Sequence, residues 1–229
     1  MASNMLPTSY QEFIHKSRYA RWMEEEGRRE NWGETVSRYV NFMSDTLMEK
    51  HNYKIDKVDK EMMEDYITSL SVMPSMRAMM TAGEALKRDN TCGYNCSYLP
   101  VDSPRSFDEA MYILMCGTGV GFSVERENVD KLPIISENMQ ESEVVIKVED
   151  SKAGWAKAYR ELVALLYSGM IPSWDVSKVR PSGARLKVMG GRASGADPLV
   201  NLFKFTVEKF KSATAVSYTH LTLPTTPYV

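Results

Sequence analysis

Val36, Tyr39, Val40 and Met43 recur three and four residues apart, so residues 32–50 are predicted to form a helix that buries one stripe. The same spacing returns in Met62, Met63, Tyr66, Ile67 and Leu70, which predicts a helix over 59–71. It stops short of Pro74, because the residue before a proline disfavours helical geometry. Pro74-Ser75-Met76-Arg77 reads as an irregular turn into a short helix over 78–86. Phe107, Met111, Leu114 and Met115 form a further stripe, entered through Ser103-Pro104 or Ser106, with Ser106 and Glu109 spaced as a capping box. Trp155, Tyr159, Leu162, Val163 and Leu166 mark a helix to about residue 168, capped by Asp150 or Ser151 and closed by Gly169. Leu199, Leu202, Phe203, Val207 and Phe210 mark another behind Asp197-Pro198. Strand-like alternation is sparser, at 122–125, 143–148 and 175–180. Helices interleaved with single strands imply an α/β architecture with a parallel or mixed sheet.

The run from Asn90 to Glu125 concentrates the candidate chemistry. Cys92 and Cys96 precede a helix, and the helix ends in Gly117-Thr118-Gly119-Val120-Gly121. Dinucleotide and P-loop fingerprints run strand, glycines, helix, so that phosphate meets a helix N-terminus. Here the glycines follow a helix and enter a strand, and no Gly-Lys-Ser/Thr is present, so both readings fail. Two remain open. Three alternate positions without a Cβ let a flat ligand lie against the main chain, or the run is a helix C-cap with a tight turn. Ser75 beside its proline either presents a hydroxyl and N–H groups to an anion or simply caps a helix. Residues 181–195 make a long loop rich in glycine and arginine; such loops are more often functional than filler, and guanidiniums grip phosphates bidentately.

Bulk composition narrows the classes. The 229 residues are 43% hydrophobic and 25% charged with net charge −2, so no basic excess points to nucleic acid. No apolar run approaches the ~18 residues of a membrane span, and the start lacks a secretory h-region. Three cysteines without such a signal argue for reducing cytoplasm rather than a disulfide scaffold. The histidines, His15, His51 and His220, are far from Cys92 and Cys96, so no metal site is expected. The 16 methionines read as core filler, as does Cys116. From residue 215 the chain carries no charge, and 216–226 resembles translated sequencing-adapter sequence; 215–229 is set apart as a non-native tail.

The motifs together resemble the N-terminal part of the monomeric, adenosylcobalamin-dependent (class II) ribonucleoside-triphosphate reductases. In order they are Tyr19-Ala20-Arg21-Trp22, Glu30-Asn31-Trp32-x-Glu34-Thr35, Pro74-Ser75-x-Arg77, Asn95-Cys96 with Tyr98, the glycine run into Phe122-Ser123-Val124, and Gly154-Trp155. Arg180-Pro181-x-Gly183-Ala184-Arg185 and Gly190-Gly191-x-Ala193-Ser194-Gly195 close the series. The resemblance implies a helical N-terminal region (1–88) and, over 89–214, the first half of a ten-stranded α/β barrel, here truncated.

It also implies chemistry. In that family a cobalamin-derived thiyl radical takes the ribose 3′ hydrogen, and a cysteine pair supplies two electrons as the 2′ hydroxyl leaves as water. Cys96 resembles one member of the pair, its partner lying downstream, with Cys92 as the alternative. Ser75 resembles a holder of the substrate's phosphates, Gly119 and Gly121 the wall beside the ribose. Gly183, Ala184 and Arg185 resemble a loop linking a deoxynucleotide effector to substrate choice. A thioredoxin-like reductant is the implied partner and adenosylcobalamin the implied cofactor, its binding region absent from these residues. The segment 127–150 is short beside relatives with an effector-site insertion there, which puts that site in question. The piece alone is expected to be inactive. Two alternatives stand beside this reading: the large subunit of an iron-dependent reductase, against which the Trp22/Trp32 and RPxGAR motifs argue, and a helical nucleotide-sensing or interaction module without chemistry.

Overall fold

The structure, a computed structural model, describes residues 6–186 and 191–214. The tail set apart at 215–229 and Gly190 of the glycine-rich loop lie outside them. The chain divides into two compact units: residues 1–97 with 117–119, and residues 98–116 with 120–229.

The first unit is mostly helical. Helix α1 (Ser9–Ile14) runs into a π-turn over His15–Tyr19, and a two-residue hairpin follows, β1 (Trp22–Met23) against β2 (Arg28–Arg29). Helix α2 (Trp32–His51) starts at Asn31, whose side chain accepts from the Glu34 N–H while the Glu34 carboxylate accepts from the Asn31 N–H. This reciprocal cap satisfies two of the otherwise orphaned donors of a helix start. Asn52, at φ +51, ends it in left-handed geometry. Helix α3 (Lys57–Thr68) packs on α2, and Trp32, Val36, Val40, Ile67 and Met79 form the core. Trp32 is buried with its indole N–H donating to Thr68 O at 3.1 Å, whereas Trp22 stands exposed.

The single helix expected over 78–86 is two: α4 (Met76–Thr81) and α5 (Glu84–Arg88). Gly83 at φ +104 breaks the run, because L side chains avoid that geometry and helical backbone cannot pass through it. The carbonyls freed at the end of α4 are taken by two arginines. Arg38 Nη1 donates to Met79 O and Ala82 O, both at 2.9 Å, and Arg21 Nη2 donates to Thr81 O at 3.0 Å.

In the second unit a parallel pair, β5 (Gln140–Lys147) and β6 (Met170–Asp175), is bridged by α8 (Lys152–Tyr167), so a βαβ crossover is present as the interleaving implies. Ser151 caps α8 and Gly169 follows it at φ +79. Helix α9 (Asp197–Thr214) closes the core: Leu199 and Phe203 are fully buried with Ile146, Leu162 and Leu166. Phe203 stacks on Tyr159 and meets Trp174 edge-on.

Three expectations are corrected here. The strand read at 175–180 lies earlier, in β6; beyond Asp175 the chain turns, with the Asp175 carboxylate accepting from Ser177 N–H. Helix α6 (Arg105–Met115) begins before Ser106, whose hydroxyl donates back to Pro100 O at 2.9 Å instead of forming a capping box. Of the α6 stripe, Phe107 and Met111 reach the core but Leu114 is exposed. Cys116 is buried, as expected, with Lys152 Nζ 3.1 Å from its sulphur. Between these elements lie β3 (Cys96–Pro100), β4 (Gly119–Ser123) and the short α7 (Arg126–Val129). No helix among the described residues is long and apolar enough to cross a membrane.

Candidate active-site strands

Strands β3 and β4 pair. Gly119 N–H donates to Asn95 O at 2.9 Å and, further along, Val101 N–H donates to Ser123 O at 2.9 Å, so the strands run in one direction. In a parallel ladder a residue bonds to the two residues flanking its opposite number. Gly119 N–H on Asn95 O sets Gly119 opposite Cys96, and Val101 N–H on Ser123 O gives the same register with Pro100 opposite Ser123; the Ser97 hydroxyl adds a side-chain bond to Gly119 O at 3.0 Å. Cys96 is exposed while Cys92 and Cys116 are buried, and no disulfide joins them. Strand alternation then decides the faces. Cys96 and Tyr98 are exposed with Leu99 buried, and on β4 Gly119 and Gly121 are exposed with Val120 half-buried between them.

Among the described residues neither packing nor backbone conformation requires a glycine at 119. A Cβ there would sit 3.5 Å from Asn95 O, an ordinary contact, and its φ lies outside the left-handed region. Gly121 stands two residues on along β4. Ser75 caps α4, its hydroxyl 3.3 Å from Ala78 N–H, and is exposed.

Residues 183–186 pair with residues 191–193, and this paired stretch is called the tongue. Gly183 N–H donates to Ala193 O at 2.8 Å and Ala193 N–H to Ala184 O at 2.7 Å, while Arg185 bridges Arg192. Arg192 Nη1 donates to Gly183 O at 3.0 Å, and Arg180 Nε grips Asp150 at 2.7 Å. The residues expected to act together therefore fall into two groups: Ser75, Cys96 and Gly119 in the first unit, Gly121 and the tongue in the second.

Sequence reading missed the wiring beneath the first group. Glu30, 6% exposed, accepts from Arg38 Nε at 2.6 Å, from the Thr35 hydroxyl at 2.9 Å and from Arg21 N–H at 3.1 Å. Burial pushes its carboxyl up, but Arg38 and these donors outweigh that and hold it below the usual range. The signal was present, since Arg21, Glu30, Thr35 and Arg77 all stand in the quoted motifs, but a motif does not say which partner each side chain takes.

The family model for the ribonucleotide reductase alpha domain matches residues 2–84, and that for the insertion domain of B12-dependent ribonucleotide reductase matches residues 121–209. By these two matches the chain resembles the ribonucleotide reductases and, more narrowly, their B12-dependent, class II members. Adenosylcobalamin-dependent ribonucleoside-triphosphate reductases of Lactobacillus helveticus and Lacticaseibacillus paracasei are each 27% identical over 82% of this chain and 34% of their own length. That of Lactobacillus leichmannii is 25% identical over the same shares. A crystal structure of a B12-dependent (class II) ribonucleotide reductase superposes with a TM-score of 0.76 over 87% of this chain and 36% of its own, at 23% identity, and so matches in fold. The α/β class with a helical N-terminal region is thereby the observed one. The chain spans about a third of the length of these relatives. Alignment with the Lactobacillus helveticus protein runs over 256 positions, more than the 229 residues here, so that relative carries residues this chain lacks; yet the insertion-domain match includes the short segment 127–150.

The cavity that the described residues form between β5 and α8 is not a cradle for adenosylcobalamin. It is lined by Val145, Lys147, Glu149, Lys157 and Glu161 and measures about 290 Å³. That is at the floor of the ~300–1,000 Å³ typical for drug-sized ligands, and a corrinoid is far larger.

Proposed function

We propose that the protein to which this chain belongs reduces ribonucleoside triphosphates to 2′-deoxyribonucleotides for DNA synthesis in the cytoplasm. The observation that carries the reading is Cys96: the one exposed thiol of three, set opposite a glycine that neither packing nor backbone conformation requires. A strand face with glycine at both 119 and 121 beside an accessible sulphur gives a sugar room to lie flat within reach of a reductant.

In this reading Cys96 and a second cysteine outside these residues each lose a proton and an electron and close to a disulfide. The 2′ hydroxyl departs as water and hydrogen takes its place, so two electrons and two protons balance. Cys92 and Cys116 are buried and do not serve as the partner. Disulfide closure needs Cα atoms about 5.5–6 Å apart. A thioredoxin-like dithiol returns the pair to its reduced state. Adenosylcobalamin would be held by residues outside this chain and would there supply radical chemistry. Ser75 holds substrate phosphate, Gly119 and Gly121 form the wall beside the ribose, and the tongue at Gly183, Ala184 and Arg185 answers to a deoxynucleotide effector. Regions 1–88 and 89–214 act as helical support and the first part of the barrel, and the complete protein works as a monomer.

Cys96→Ser in the full-length protein tests this. Multiple turnover with a dithiol reductant is expected to disappear while substrate binding remains. Undiminished multiple turnover would remove Cys96, and with it the reading.

A further inference from the structure

Arg77 stands in a quoted motif, yet none of the roles above uses it. Its Nε donates to Cys92 O at 2.8 Å, tying α4 to the 3₁₀ turn Asn90–Gly93 that leads into β3. The same guanidinium lies against Gly117, at φ +82, where a Cβ would collide with Nη2. From Gly117 onward the chain is stitched to the run that precedes Cys96. Thr118 Oγ1 lies 2.9 Å from both Thr91 O and Tyr94 O, and Gly119 N–H donates to Asn95 O. Cys92 sits inside this stitching, 1% exposed, its thiol donating to Asp89 O at 3.0 Å. One planar cation thus meets α4, the turn ahead of β3 and the entry to β4. A guanidinium suits the place, because a flat group needs a flat seat and its donors sit in a fixed fork.

We propose that Arg77, seated on Gly117, is a positioning residue that fixes residues 91–95 and so holds Cys96 opposite Gly119. The proposal deepens the reductase reading and rests on it for its catalytic meaning. It also divides the glycine run: Gly117 is reserved for the arginine, which leaves Gly119 and Gly121 for the ligand.

The three cysteines make independent reporters, since Cys96 is exposed, Cys92 lies in the latch and Cys116 is buried in the other unit. The native 229-residue chain is pulsed with iodoacetamide and the labelled peptides are weighed. In the parent sequence Cys96 labels while Cys92 and Cys116 stay protected. In Arg77→Ala, and separately in Gly117→Ala, Cys92 labelling is expected to rise about tenfold or more, with Cys116 unchanged, because losing a charge-assisted bond opens the turn locally. Arg77→Lys, which keeps one donor for Cys92 O, is expected to restore part of the protection. Cys92 remaining protected in both Arg77→Ala and Gly117→Ala overturns the latch, as does Cys92 and Cys116 becoming reactive together. None of these outcomes depends on turnover. A full-length protein whose Cys96→Ser variant keeps its activity defeats the reductase reading even when the latch behaves as described, and the converse result defeats the latch alone.

Discussion

Glu30 shows how one side chain organises its surroundings, and its acid dependence can be worked out. Thr35 donates its hydroxyl proton to Glu30, so the 2.9 Å contact between Thr35 Oγ1 and His15 Nε2 has the imidazole donating. His15 Nδ1 then carries the lone pair, and among the described residues it has no partner. Protonation there would bury an unsatisfied N–H beside Trp32, whose ring lies 5.5 Å away edge-on. Burial accordingly lowers the His15 pKa below 6.5, with Lys16 and Arg38 adding to the effect against Glu30. A depressed histidine binds its proton in the unfolded chain first, so stability falls as pH drops below 6.5. The depressed carboxyl of Glu30 acts in the same sense lower down: its contribution is complete above its unfolded value of 4.5 and is lost as pH falls through the folded value. Urea midpoints followed by tryptophan emission should be flat above neutrality, decline below pH 6.5 and decline again below 4.5, and His15→Gln should remove the first decline alone. Glu30→Gln leaves Arg38, 18% exposed, without its carboxylate, and is expected to cost about 3 kcal/mol at neutral pH.

Among the elements, those with a full apolar stripe were legible. Helices α2 and α8 fall within a residue or two of expectation and α9 opens at the expected Asp197-Pro198, because twelve or more residues of 3.6 periodicity leave little choice. The failures share another cause. Pro172 and a short span disguised β6, while Val176, Val179 and the polar residues between them imitated strand alternation in what is a turn. Ser106 and Glu109 have capping-box spacing, but a carbonyl supplied by Pro100 won the serine hydroxyl. Two boxes that do form went unread, Thr8 with Gln11 and Asn31 with Glu34, the second with asparagine in the place of serine or threonine. The second is a strong one. Arg28 hydrogen bonds hold the Glu34 carboxyl down at about 2, so the cap survives through ordinary acid conditions. Asn31→Ala should destabilise α2 by about 1 kcal/mol, read as an equal change in unfolding free energy at pH 7 and at pH 4. Loss at pH 7 but none at pH 4 would show that the cap had already failed in the parent.

At the scale of the whole chain, the candidate site was legible only as residue types. Nothing in local periodicity sets Cys96 opposite Gly119; parallel pairing across the intervening α6 does, and such register is a long-range property. The same pairing has a consequence for solution behaviour. Among the described residues every sheet has two strands, and so few leave each strand with an unpaired edge. On β3 and β4 the faces are uncovered as well: Tyr98 and Phe122 are 66% and 64% exposed, and Gly121 next to Phe122 is exposed on the opposite side of β4. A finished barrel covers one face of such strands with its interior and the other with helices, so aromatics bared here mark an architecture that is partial in these residues. The 229-residue chain should therefore self-associate as concentration rises through the micromolar range, seen as a growing weight-average mass in sedimentation. Phe122→Lys, which places a charge on an open strand, should shift that association to higher concentration. A chain that stays monomeric throughout and unfolds in one cooperative step would mean that these strands are already complete, and the half-barrel description would have to be given up.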